Sequence, residues 1–236
     1  MSNDASTQRP CAVVTGSSSG IGQCIAEHLL LNGWRVVGLD MAPPTLHNPH
    51  LKAVQVDLSD HSAIMAIAHQ LQEVNAFVHA AGVLRVGRLG ELDPMNGELM
   101  WRIHTQAAIS LANVLIPRMV QQKQGRAVFI GSRVAQGMPG RSQYAATKAA
   151  LIALARSWAS EVASAGVTVN VVSPAATQTT MLSDPARATS APRLPPLGRL
   201  IQPQEIAELV AFLLSPSAAA ITGQDIAICG GASLPQ

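Results

Sequence analysis

Short apolar runs alternate with amphipathic helical segments along almost the whole chain. Residues 11–15 form the first run and lead into Gly-Ser-Ser-Ser-Gly; a helical segment follows over about 20–31 until Asn32-Gly33 stops it. Residues 34–39 predict a second strand, 53–56 a third, 62–71 a helix, and 76–78 a fourth strand that ends at Ala80-Ala-Gly82. A long helix is expected over about 100–122, interrupted by Pro117. Residues 127–130 predict a fifth strand, 143–163 a helix stopped by Gly166, and 167–172 a sixth strand cut by Pro174. The stretch 180–199 is rich in proline, serine and alanine without periodicity, and predicts a mobile loop or short lid. A last helix opens at Pro203, where the missing N–H costs nothing, with Glu205 near the positive helix end. It runs to Leu214, and residues 226–228 close as a seventh strand. Strands joined by right-handed helical crossovers predict an α/β fold: a Rossmann-like, doubly wound parallel sheet of about seven strands with helices on both faces.

Composition narrows this picture. A chain of 236 residues fits one domain and is short for two separate cores. Residues 1–9 are expected to be a flexible polar tail, and 10–236 a single domain with a substrate loop at about 180–200. Apolar residues make up 48% and aromatics only 3%, which suits a buried parallel sheet better than a β-sandwich. The formal charge of +2 is too small to argue for nucleic acid or a membrane surface as partner. Cys11, Cys24 and Cys229 are far apart and lack C-x-x-C spacing, so they read as small core hydrophobes in a reducing compartment. The polar N-terminus has no signal-peptide core and no run reaches about 18 apolar residues, so a cytoplasmic protein is expected. His47 and His50 have no carboxylate at ligand spacing, and no metal site is expected.

Three constellations carry chemistry. The turn Thr15-Gly-Ser-Ser-Ser-Gly-Ile-Gly22 lies between the first strand and the first helix. Its glycines let the backbone approach a pyrophosphate, whose charge is met by the helix N-terminus. Gly16, Ser18, Ser19, Gly20, Ile21 and Gly22 are therefore candidates to hold a dinucleotide. Asp40 ends the second strand, where a carboxylate accepts hydrogen bonds from an adenosine ribose and repels a 2′-phosphate. Position 19 is serine and position 41 is methionine, neither basic, so NAD is favoured over NADP; a solvated turn residue is the other reading of Asp40. Tyr144, the one tyrosine, and Lys148 share a helix face at i and i+4. Moving a phenol from pKa ~10 to ~7 needs about 4 kcal/mol. An ammonium ~4–5 Å away supplies roughly 3–4 kcal/mol at an effective dielectric of about 20. By itself the pair is equally an ordinary helical neighbour pair. Ser132 closes the fifth strand and places its hydroxyl at the same sheet edge.

Taken together these residues resemble the short-chain dehydrogenase/reductase family in its compact single-domain subclass. The matching pieces are Thr15 to Gly22, Asp40, Asp57, Ala80-Ala-Gly82, Ser132, Tyr144-x-x-x-Lys148, Asn170-Val-Val-Ser-Pro174, Thr179, Pro196-Leu-Gly-Arg199 and Thr222-Gly-Gln with Gly230-Gly231. The resemblance implies Tyr144 as general acid/base, Lys148 as the residue that lowers its pKa and holds the nicotinamide ribose, and Ser132 as the group orienting the substrate oxygen. It implies cofactor contacts at Asp57, Leu58, Ala80, Ala81, Gly82, Pro174, Thr177 and Thr179 as well as the glycine turn. It also implies a homo-oligomer, a tetramer or dimer, commonly built on the long helices.

The chain departs from the family pattern at a few positions. Where the family often has a relay asparagine, in a setting such as Trp-x-Ile-Asn, this chain has Trp101-Arg-Ile-His104. His104 is expected to keep the proton relay, or else to be packed in the helix. His79 replaces another common asparagine and is expected to fill a hydrogen-bonding place between strands. Candidate substrate contacts are Arg85, Arg133, Gln136, Met138, Met181 and Leu182; Arg133 reads either as a clamp for a carboxylate or phosphate or as a surface arginine. The expected activity is NAD-dependent hydride transfer between a small-molecule secondary alcohol and its ketone. An NADPH-dependent carbonyl reductase of 3-oxoacyl-thioester type and a non-catalytic dinucleotide-sensing protein are the alternatives.

Overall fold

The computed structural model describes residues 9–183 and 194–234. The expected tail at 1–9 lies outside them except for Arg9, as does 184–193 of the expected loop. The strands are β1 (Cys11–Thr15), β2 (Arg35–Asp40), β3 (Leu51–Gln55), β4 (Ala76–His79), β5 (Gly125–Ile130), β6 (Val167–Pro174) and β7 (Asp225–Ile228). They form one sheet in the order β3-β2-β1-β4-β5-β6-β7, with every pairing parallel. The helices are α1 (Gly20–Leu31), α2 (His61–Ala68), α3 (Pro94–Trp101), α4 (Ala107–Gln121), α5 (Ser142–Val162) and α6 (Pro203–Leu214).

The two-residue period of the strands sorts their side chains between two cores. Val13, Phe77 and Phe129 pack with Leu111, Leu115 and Leu151 from α4 and α5. Their neighbours Ala12, Val14, Val78 and Val128 face the other way, onto Ile25 and Leu29 of α1 and Ile206 and Val210 of α6. All eight residues of β6 are buried, whereas β3 and β7 at the sheet edges are partly exposed. Truncating one of the fully buried leucines would cost about 2–5 kcal/mol.

Two expectations for the long helix change. Its start was placed at residue 100, but α3 already begins at Pro94, capped by the Asp93 carboxylate, which accepts from the Met95 N–H at 2.9 Å. The interruption is not at Pro117, through which α4 runs to Gln121. Pro117 and Asn113, whose carbonyl loses its N–H partner, are both exposed, so water can satisfy that carbonyl. The irregularity lies upstream, where Arg102–Gln106 is wound as a π turn between α3 and α4, with His104 and Thr105 buried.

Candidate active site

The strand order reverses between β1 and β4, and a cleft of about 860 Å³ opens along the carboxyl ends of the strands there. At its floor, Gly16 has φ +69°, and a Cβ added to it would stand 2.9 Å from the Ala81 backbone. A Cβ on Gly22 would stand 2.1 Å from the Gly16 carbonyl oxygen. No side chain fits at either place, so the glycines let α1 start directly beneath the turn. Ser19 caps α1 without a side-chain hydrogen bond, and no acid occupies the first turn. The helix N-terminus thus meets the cleft with its N–H groups available to an anion, which fits a pyrophosphate.

Asp40 lines the cleft at the end of β2. Its Oδ2 accepts from the Ser18 N–H at 2.9 Å and its Oδ1 from the Ala42 N–H at 2.8 Å. Ser18 itself is buried, does not line the cleft, and donates its hydroxyl to the Ala42 carbonyl at 3.2 Å. Its place is behind Asp40 rather than in direct reach of a ligand. Gly16, Ser19, Gly20, Ile21, Gly22, Asp57, Leu58, Ala80, Ala81, Gly82, Pro174, Thr177 and Thr179 all line the cleft.

Ser132, Tyr144 and Lys148 line the other end of the same cleft. Ser132 follows β5 and caps a short 3₁₀ turn, its Oγ accepting from the Val134 N–H at 3.2 Å. The Lys148 Nζ lies 5.8 Å from the centre of the Tyr144 ring and donates to the Ile130 carbonyl at 2.8 Å. Only 4% of Lys148 is exposed, and this burial pushes its pKa down to about 7. Burial thus opposes the positive charge that would lower the pKa of the neighbouring phenol.

His104 is fully buried and does not line the cleft. Its Nε2 accepts from the Val83 N–H at 2.9 Å, and its Nδ1 stands 2.8 Å from the Thr147 hydroxyl. His79 bridges Thr15 Oγ1 at 3.0 Å and the Ile103 carbonyl at 3.1 Å, which is the hydrogen-bonding place expected of it. Of the substrate candidates, Arg133, Met138, Met181 and Leu182 line the cleft, while Arg85 and Gln136 do not. The Arg85 guanidinium turns back to the Leu84 carbonyl at 3.1 Å. Arg141 was missed and does line the cleft, at the N-cap of α5. Its position less than one helical turn before Tyr144 was the available signal. Among the described residues no group of His, Cys, Asp and Glu is arranged to hold a metal, and no helix is long and apolar enough to cross a membrane.

A family model described as Enoyl-(Acyl carrier protein) reductase matches residues 16–233. The 3-oxoacyl-[acyl-carrier-protein] reductase FabG of Escherichia coli (strain K12) is 36% identical over 234 residues, covering 93% of this chain and 96% of the relative. The Oxidoreductase UcpA of Salmonella typhimurium is 29% identical over 249 residues, covering 95% of each. Among solved structures, a short chain dehydrogenase/reductase family protein superposes with a TM-score of 0.86 at 32% identity, covering 96% of this chain and 98% of that one.

Proposed function

The chain belongs to the short-chain dehydrogenase/reductase family, and from that premise we propose that it is an NAD-dependent oxidoreductase acting on a secondary alcohol and its ketone. The observation that carries this reading is the convergence of Ser132, Tyr144 and Lys148 with the glycine turn on one cleft. The glycine turn, Asp40, Asp57 and the segment from Pro174 to Thr179 would hold the dinucleotide, which when bound supplies the carbon that exchanges hydride. Tyr144 takes the proton of the alcohol, or returns it to the ketone oxygen, and Ser132 fixes that oxygen in place. Lys148 stands ready to donate to a ribose hydroxyl and to the proton path of the phenol.

The choice of NAD is supported by Asp40 and by its surroundings. Met41, Val56, Asp57 and Leu58 line the cleft around it, and no Lys or Arg is among the described lining residues at that end. At the far end Arg133 would meet a carboxylate or phosphate on the substrate. Assembly into a homo-dimer or tetramer and a cytoplasmic location complete the proposal; exposed Trp101 and Phe212 support the first, and three free cysteines the second.

A second reading is reduction of a 3-oxoacyl thioester with NADPH; its thioester substrate is favoured by the name of the 36% identical relative. A panel of secondary alcohols, hydroxy acids and polyols with NAD at alkaline pH, followed at 340 nm, is run beside 3-oxoacyl thioesters with NADH and NADPH. Turnover with NAD or NADH supports the first reading, and a strong preference for NADPH on thioesters replaces it with the second.

A further inference from the structure

Ile103 and His104 are neighbours in the π turn, and two buried histidines fasten that turn from opposite sides. On the sheet side, Thr15 Oγ1 accepts the N–H groups of Ala80 at 3.0 Å and Ala81 at 3.1 Å. Its single hydrogen is then what it offers to His79 Nδ1. His79 Nδ1 is bare, its proton sits on Nε2, and Nε2–H donates to the Ile103 carbonyl. On the helix side the order is reversed. The Val83 N–H points at His104 Nε2, which must be bare to accept it. The proton of His104 sits on Nδ1 and donates to Thr147 Oγ1, whose own hydrogen goes on to the Tyr144 carbonyl at 2.8 Å. Every donor in the two chains finds an acceptor. Adding a proton to His104 would set Nε2–H against the Val83 N–H.

We propose that His104 is a positioning residue: its neutral ring, protonated on Nδ1, ties the cleft loop at Val83 to α5 at Thr147 and so fixes where the Tyr144 phenol stands, without changing protonation during turnover. His79 secures the same π turn with the opposite tautomer. The role expected from the sequence, a titrating relay, does not fit a ring whose two nitrogens are already committed to Val83 and Thr147. The charged or titratable groups facing His104 are Lys148 on α5 and His79 on β4, with the Tyr144 ring beside it. Burial first, then the charge of Lys148, hold His104 well below its ordinary pKa, and the same two causes bring His79 down to about 3. The link to turnover rests on the proposed function; the tautomers do not.

The two halves of the clasp are separable by substitution. The amide nitrogen of asparagine falls near the place of Nδ1, and the amide oxygen of glutamine near that of Nε2. His104→Asn can keep the Thr147 link and His104→Gln the Val83 link. Each variant should lower kcat by about 10–100-fold, as misplaced reacting groups do. KM for NAD should stay within about threefold, and the apparent pKa values of the kcat profile should not move. A limb displaced by about one unit in either variant would overturn the proposal. Nuclear magnetic resonance of the wild-type protein with ¹⁵N-labelled histidine, from pH 5.5 to 9, gives a second readout. His104 should carry its proton on Nδ1 and His79 on Nε2, neither titrating. Titration of His104 in that range, or its proton on Nε2, contradicts the proposal even if no substrate is found. Loss of turnover in wild type with the tautomers as stated would instead count against the proposed reaction.

Discussion

The imidazole of His104 meets the Tyr144 ring edge to face, with centroids 5.4 Å apart and planes at 88°. Through Thr147 the same imidazole also reaches the Tyr144 carbonyl. The phenol-bearing residue is thus braced at its ring and at its backbone by one buried side chain. The brace in turn depends on Gly82, because a Cβ there would stand 3.1 Å from His104 Nε2 and 3.4 Å from its Cδ2.

Gly82→Ala should therefore disturb the brace without touching Tyr144 chemically. We expect kcat to fall by about tenfold or more, since small displacements of reacting groups are costly. Steady-state kinetics on the best substrate checks this, and wild-type kcat would show that the ring has room to move.

Acid should weaken the fold earlier than its carboxylates alone would cause. His79 and His104 bind a proton near pH 6.5 when unfolded and resist it when folded. Below 6.5 the unfolded chain holds more protons at these two rings, so their contribution to stability is full above that pH and falls as pH drops beneath it. Urea midpoints at pH 7.5, 6 and 5 should decrease in that order. The double variant His79→Asn, His104→Asn should lose less over the same range; equal losses would contradict the assignment.

Lys148 acts at the other end of the scale. Its folded pKa of about 7 lies below the ordinary 10.5, so between these values the unfolded chain carries the extra proton. Stability of the nucleotide-free protein should rise with pH across that window, and the burden of a buried charge is greatest below about 7. Lys148→Met should flatten this slope in urea melts and abolish turnover. An unchanged slope would mean that the ammonium is better solvated than its burial suggests.

Cofactor choice should respond to Asp40. A ribose phosphate about 5 Å from a carboxylate is disfavoured by roughly 3 kcal/mol at an effective dielectric of about 20. Asp40→Asn should raise the ratio of kcat/KM for NADP over NAD by about 10–100-fold. Part of the effect will be offset by weaker bonds to the Ser18 and Ala42 N–H groups, which tie the glycine turn to β2. A ratio left unchanged would remove Asp40 from the reading of specificity.

Much of the sheet was legible in the sequence because its central strands are mainly apolar and are closed by glycine or proline, as at Cys11–Thr15 before Gly16 and at Val167–Pro174. The glycine turn and the Tyr144–Lys148 pair were legible because backbone approach and helical spacing leave local marks. α3 was not, since Pro94–Trp101 buries only Met100 and carries no apolar stripe; Asp93-Pro94 was its one signal. The π turn was equally hidden, and the contacts that fasten it come from β4 and α5, far away in sequence. Nor could spacing show that the carboxylate of Asp40 takes the Ser18 N–H, or that Arg85 turns away from the cleft while Arg141 faces it.

Tyr144→Phe tests the central claim most directly, because it removes one hydroxyl and leaves the edge-to-face contact with His104. NADH binding, followed by fluorescence titration, should match wild type within about threefold, while kcat on the best alcohol falls by about 10²–10⁴-fold. Turnover within a few-fold of wild type, with the nucleotide bound, would contradict the assignment of this phenol as the acid and base.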